Sequence, residues 1–143
     1  MWWKSRIEKE VDAYIVKYQM DKYIYRSPFR TDVPDLLNSI NVYCLPSLWE
    51  GLSIALLETM AMGKAIVATP TDGTKEVIED GKNGVIIPFE QPQALSDAII
   101  RLHDDNVLFQ QCGVEASRVV ARRFNAQRVA DAVAAIYEKH ITL

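Results

Sequence analysis

The chain has 143 residues, 49% of them hydrophobic and 24% charged, which suits one soluble globular domain with an ordinary core. Its formal net charge of -3 excludes a general attraction to nucleic acid or to an anionic membrane surface. No apolar run reaches the ~18 residues of a membrane-spanning helix, and Met1-Trp2-Trp3-Lys4 leads into a charged segment rather than the apolar core of a signal peptide.

Residues 5–19 place Ile7, Val11, Tyr14, Ile15 and Tyr18 on one stripe at helical spacing. Residues 22–26 are a short β-rich run closed by Ser27-Pro28. Thr31 or Asp32 can cap a short helix with Pro34 in its first turn, running to about Ile40. Residues 41–45 are then a nearly continuous apolar run before Pro46, as expected of a strand buried on both faces in a parallel sheet. A helix is predicted over residues 52–62, stopped at Gly63 by a left-handed end. Residues 65–69 make the next buried strand, closed by Pro70, and a short helix spans 74–79. The turn 80–84 leads to a last strand at 85–87, which Pro88 ends. Beyond Pro92 the chain reads as helix, with one apolar stripe at Leu95, Ala98, Ile99 and Leu102 and another at Val129, Val133, Ile136 and Tyr137.

Strands and helices alternating through short joints predict an α/β fold, a Rossmann-like parallel sheet flanked by helices. Ligands in such sheets bind outside the carboxyl ends of the strands, so function is sought just after Leu45, Thr69 and Ile87. Cys44 and Cys112 lie far apart without metal-ligand spacing, which reads as free thiols in a reducing cytoplasm. His103 and His140 are solitary in charge-rich helical segments, so no metal or catalytic role is expected of either.

One joint stands out: Pro46-Ser47-Leu48-Trp49-Glu50-Gly51-Leu52-Ser53. Gly51 permits a tight turn and close backbone approach. At the start of the predicted helix the N–H groups of Gly51, Leu52 and Ser53 are free, and an anion can bind there. The purely structural reading is a strand–turn–helix joint capped by Ser47 or Glu50. Glu50 and Glu58 are eight residues apart, a little over two helical turns, and so near one face. Glu58 follows an apolar stretch, and a carboxylate buried there needs hydrogen bonds. Two adjacent ribose hydroxyls would supply them, as would an internal Arg or Lys.

Residues 46–69 resemble the Glu-x7-Glu block of the large retaining GT-B glycosyltransferase family, which includes transferases of polysaccharide biosynthesis. Residues 72–78 and 80–88 are similar to the two blocks that follow in that family, and residues 35–45 to the block before. The resemblance implies a donor-nucleotide-binding, C-terminal GT-B domain lacking its first two strands. It would be a single partial domain over 1–143, with an α/β core over 1–124 and a C-terminal crossing helix over 125–143. Glu50 would sit at the reaction centre as the catalytic residue. Gly51, Leu52 and Ser53 would offer N–H groups to the sugar or the distal phosphate, and Glu58 would hold the ribose. Residues 27–30, with Phe29 and Arg30, would frame the base. The implied reaction moves a sugar from a nucleotide diphosphate-sugar to an acceptor with retention. It needs no metal and no cofactor, since a helix N-terminus can stabilise the departing diphosphate.

The resemblance also implies parts that this sequence lacks. The family's diphosphate-binding Arg and Lys, and its acceptor-binding N-terminal domain, would precede Met1. The chain by itself is therefore expected to be inactive. Strand 22–26 would pair with the Val42 strand, or two copies would meet there; a homo-oligomer, most simply a dimer, is expected through the 129–137 stripe, the open sheet edge, or both. The alternative is a non-catalytic α/β binding or folding module derived from such a domain.

Overall fold

The computed structural model of the protein describes residues 2–141, with side chains from residue 6 onward. The chain divides into two compact units, Met1–Val33 and Pro34–Leu143.

The first unit is built on helix α1 (Trp2–Lys17), which starts and ends earlier than its apolar stripe predicts. Gln19 takes a left-handed φ of 54° just beyond the helix end. The expected strand at residues 22–26 does not form. Both Tyr23 and Ile24 donate their N–H groups to the Met20 carbonyl, at 2.9 and 3.0 Å, and wind this stretch into a turn. A lone strand gains nothing without a neighbour's ladder, and local bonds win. Tyr23 and Tyr25 are each 83% exposed. Arg26 ties the segment back to α1 through the Glu8 carbonyl and the Asp12 carboxylate, each at 3.3 Å.

The second unit opens with α2 (Val33–Ser39), whose first residue closes the preceding unit. There follow β1 (Val42–Leu45), α3 (Ile54–Ala61), β2 (Ala65–Ala68), α4 (Asp72–Val77), β3 (Val85–Ile86), α5 (Pro92–Asp104), α6 (Asn106–Arg123) and α7 (Ala126–His140). The strands form a parallel sheet in the order β1-β2-β3, so the expected fourth strand is absent from it. Val42 pairs with Ala65 and Leu45 with Ala68, while Val67 pairs with Val85 and Ala68 with Ile86.

All four residues of β2 are buried, as the unbroken apolar run predicts for a central parallel strand. Side-chain alternation divides them. Ala65 and Val67 pack with Val85, Ile87, Ala98, Leu102 and Cys112, while Ile66 and Ala68 pack with Leu56, Met60, Val77, Ile78 and Ala116. Helix α6 contributes to both layers, through Cys112 to one and Ala116 to the other. Burying a side chain such as Leu56 or Ile66 is worth about 1.5–3 kcal/mol, and both are wholly excluded from solvent.

The turn after α4 is fixed by side chains. Buried Asn83 accepts from the Glu79 N–H at 2.7 Å and donates to the Val77 carbonyl at 2.8 Å. Asp80 accepts from the N–H of Ile86, the second residue of β3, at 2.8 Å. Both cysteines are free, and burial pushes both thiols above their ordinary pKa. Among the described residues, no helix is long and apolar enough to cross a membrane. The stripe Val129, Val133, Ile136 and Tyr137 is exposed along α7.

Candidate functional site

The carboxyl ends of the three strands open into loops that share a cleft of about 780 Å³. Leu48, Trp49, Glu50 and Gly51 come to it from the loop after β1, and Pro70, Thr71, Asp72 and Lys75 from the joint after β2. Phe89 comes from the loop after β3. This is where a doubly wound sheet places ligands. Trp49 is 87% exposed at the cleft and Glu50 is half-buried.

The helix after this loop begins later than expected. Ser53 is its N-cap, with φ -71° and ψ 124°, and its hydroxyl accepts from the Leu56 N–H at 3.4 Å. Neither Ser47 nor Glu50 caps α3, because a Ser at 53 satisfies the Leu56 donor directly. Gly51 and Leu52 consequently lie in the bend before the helix. Their N–H groups and that of Ser53 make no backbone hydrogen bond among the described residues. They remain available to a ligand, with those of the first helical turn behind them.

Glu58 departs from the sequence expectation as well. It is exposed rather than buried, and among the described residues its carboxylate makes no hydrogen bond or ion pair, while its carbonyl accepts from the Met62 N–H at 3.1 Å. The inward face of α3 carries Leu56, Thr59 and Met60. Two residues on from Leu56 is a rotation of about 200°, which turns Glu58 to the side of Ile54, itself 73% exposed. Glu58 does not line the cleft that holds Glu50, yet both carboxylates act on one group. The Tyr43 hydroxyl is pushed above its ordinary pKa, first by burial, then by the charge of Glu50, with Cys44 and Glu58 adding less.

Phe29 and Arg30 belong to the first unit. Phe29 is 93% exposed. Arg30 grips the Asp32 carboxylate with two nitrogens, Nε at 2.8 Å and the second closer still. That hydrogen bond, helped by the backbone N–H of Asp32, holds the Asp32 carboxyl below its usual pKa.

The sequence reading missed Thr71, Asp72, Lys75 and Phe89 as lining residues. Their only signal was position, immediately after Thr69 and Ile87 at strand ends. Lys75 is the basic residue of this lining, and its partner is Asp72 at 3.9 Å, an exposed pair worth little. Gly73 and Thr74 of the same joint are buried, whereas Glu76 is exposed.

The profile of the family described as glycosyl transferases group 1 matches residues 5–105. The chain belongs to this family. Among curated relatives, this group 1 glycosyltransferase chain is 31% identical over 107 residues to an alpha-D-kanosaminyltransferase of Streptomyces kanamyceticus, covering 75% of this chain and 28% of that protein. It is 34% identical over 107 residues to a phosphatidyl-myo-inositol mannosyltransferase of Mycobacterium tuberculosis, covering 71% and 28%. The chain thus spans little more than a quarter of the length of these relatives.

Solved structures agree on the fold. The C-terminal domain of a group 1 family glycosyl transferase from Francisella tularensis superposes with a TM-score of 0.75 at 22% identity, covering 85% of this chain and 64% of that one. Anabaena HepE in complex with UDP-glucose gives 0.82 at 23% identity, covering 89% and 36%. The three-stranded parallel sheet and its helices are those of a GT-B C-terminal domain.

Proposed function

We propose that this group 1 glycosyltransferase chain is the donor-binding portion of an enzyme that moves a sugar from a nucleotide diphosphate-sugar to an acceptor, with retention at the anomeric carbon. The observation that carries this reading is the cleft at the strand ends, where Glu50 stands beside the free N–H groups of the Gly51–Ser53 bend. In this reading Glu50 faces the reacting sugar. The N–H groups of Gly51, Leu52 and Ser53 meet the sugar or the distal phosphate, preorganised donors at the place where negative charge grows as the diphosphate departs. Lys75 is the cleft's own cation for that charge. Glu58, exposed and unpaired, is available to accept two ribose hydroxyls.

No metal enters this scheme, because N–H donors and a lysine can carry the leaving-group charge. The acceptor is assigned to a further domain of the longer enzyme, and the isolated chain is taken to be inactive and cytoplasmic. Its exposed α7 stripe supports self-association, which sedimentation would read as a dimer that Ile136→Asp dissociates.

The donor site is tested by titrating UDP and GDP into the labelled chain and following amide resonances. Affinity near millimolar, about -4 kcal/mol, is expected. The amides of Gly51, Leu52, Ser53 and Glu58 should shift together, and Glu58→Gln should weaken the response. Shifts confined to α5–α7 would overturn the assignment.

A further inference from the structure

Gly73, the second residue of α4, is buried against the loop that carries Glu50. A methyl group on Gly73 would overlap the carbonyl carbon and oxygen of Gly51 and stand 2.5 Å from the Leu52 nitrogen. The backbone of α4 therefore rests directly on the Gly51–Leu52 peptide. The closeness belongs to Gly73 alone, since a methyl group on Gly51 would meet nothing within 4 Å.

The same two loops are joined a second time. Thr69, the residue after β2, donates its hydroxyl to the Ser47 carbonyl at 2.5 Å. Leu48, Trp49 and Glu50 hang between these two attachments, at Ser47 and at Gly51–Leu52. The supporting joint is itself rigidly built. Thr71 caps α4 with φ -65° and ψ 163°, and its hydroxyl lies 2.9 Å from that of Thr74. Both threonines are buried.

We propose that Gly73 is a positioning residue for the candidate donor site: its bare Cα sets the height and tilt of the Gly51–Leu52 peptide, and with them the aim of the Leu52 N–H and the Glu50 carboxylate. The inference rests on the donor-site reading for its consequence in binding, but not for its structural half. A side chain at 73 must push the two loops apart by more than about 1 Å to reach ordinary non-bonded separation. Misplacement on that scale can cost a reactive site ~100-fold. A glycine whose role was only to start α4 would transmit no such effect to the neighbouring loop.

Gly73→Ala in this 143-residue chain tests the proposal. Without nucleotide, the amide resonances of Glu50, Gly51, Leu52 and Ser53 should move while those of β1 and β2 stay. Added UDP should then bind at least about tenfold more weakly than to the parent chain. Turn amides at their parental positions, or parental UDP affinity with a displaced turn, would overturn the proposal. Should the parent chain itself ignore UDP, the donor-site reading fails, and the comparison without nucleotide still decides whether Gly73 places the turn. If Gly73→Ala does not fold, Thr71→Val decides. By loosening the start of α4 it should shift the same four amides, and an unmoved turn would refute the role.

Discussion

Gly113 of α6 lies against the carbonyl of Gly63, the residue just past the Met62 cap of α3: a methyl group on Gly113 would overlap that oxygen and stand 3.0 Å from its carbon. Gly63 has φ +65°, where a side chain is strained. Helix α3 is thus held by bare backbone on both sides, at its end by Gly113 and ahead of its start by Gly73.

Gly113→Ala should therefore destabilise the fold by about 1–3 kcal/mol, the usual cost of overpacking. Gly63→Ala should cost about 1–2 kcal/mol through the left-handed backbone instead. Urea unfolding distinguishes them. The first should also displace α3 and disturb the amides around Glu58, while the second should act on stability alone. A neutral Gly113→Ala would show that α6 gives way at no cost.

Asn83 was legible in the sequence only as part of a turn, yet its amide satisfies two backbone groups, the Glu79 N–H and the Val77 carbonyl. Asn83→Ala leaves the buried Val77 carbonyl and the part-buried Glu79 N–H unpaired. Each such group costs about 1–3 kcal/mol. The substitution should lower stability by about 2–4 kcal/mol, which the same urea titration reads.

These contacts mark what the sequence could and could not disclose. Period and punctuation sufficed to place β1, β2, β3 and the helices between them, because Pro46, Pro70 and Pro88 close short apolar runs and Gly63 follows a helix, although α4 forms over Asp72–Val77, two residues before the expected 74–79. They failed at residues 22–26, where β propensity had no partner strand and Met20 offered a local acceptor. They also failed for the start of α3, since Leu52 and Ser53 fit both a helix and a cap, and only the Ser53 hydroxyl on Leu56 decides. Glu58 was misjudged as buried because its apolar neighbours are themselves divided, Leu56 inward and Ile54 outward. Position at strand ends located the cleft, but Lys75 and Phe89 carried no signal of their own.

Stability should fall in alkali in a way traceable to named groups. Burial raises the Cys44 and Cys112 thiols, and burial with the charges of Glu50, Cys44 and Glu58 raises the Tyr43 hydroxyl. Each is an acid whose folded-state pKa lies above its unfolded value, so the neutral form is the one the fold favours. Their contribution is complete below the ordinary values, about 9 for the thiols and about 10 for the phenol, and is lost above them as pH rises through the raised folded-state values. Tyr43→Phe should flatten the upper part of the profile, measured as denaturant midpoint against pH. An unchanged slope above pH 10 would remove Tyr43 from the explanation.

Catalysis makes the most exacting demand on the proposed reading. The cleft offers Glu50, the N–H groups of one bend and a single lining lysine, and that lysine is already beside Asp72. Transfer from a nucleotide diphosphate-sugar must stabilise the departing diphosphate and hold an acceptor at the same time. Losing one preorganised charge-stabilising group alone can cost ~100-fold. The aligned region spans 28% of the kanosaminyltransferase it resembles, and the reading proposed above leaves the acceptor side to a further domain. The isolated chain should bind nucleotide weakly and turn over no sugar. Incubation with labelled nucleotide sugars and lipid or saccharide acceptors should give no product above a Glu50→Gln control. Multiple turnovers that this substitution abolishes would show that these three loops suffice for transfer and overturn the division of labour proposed here.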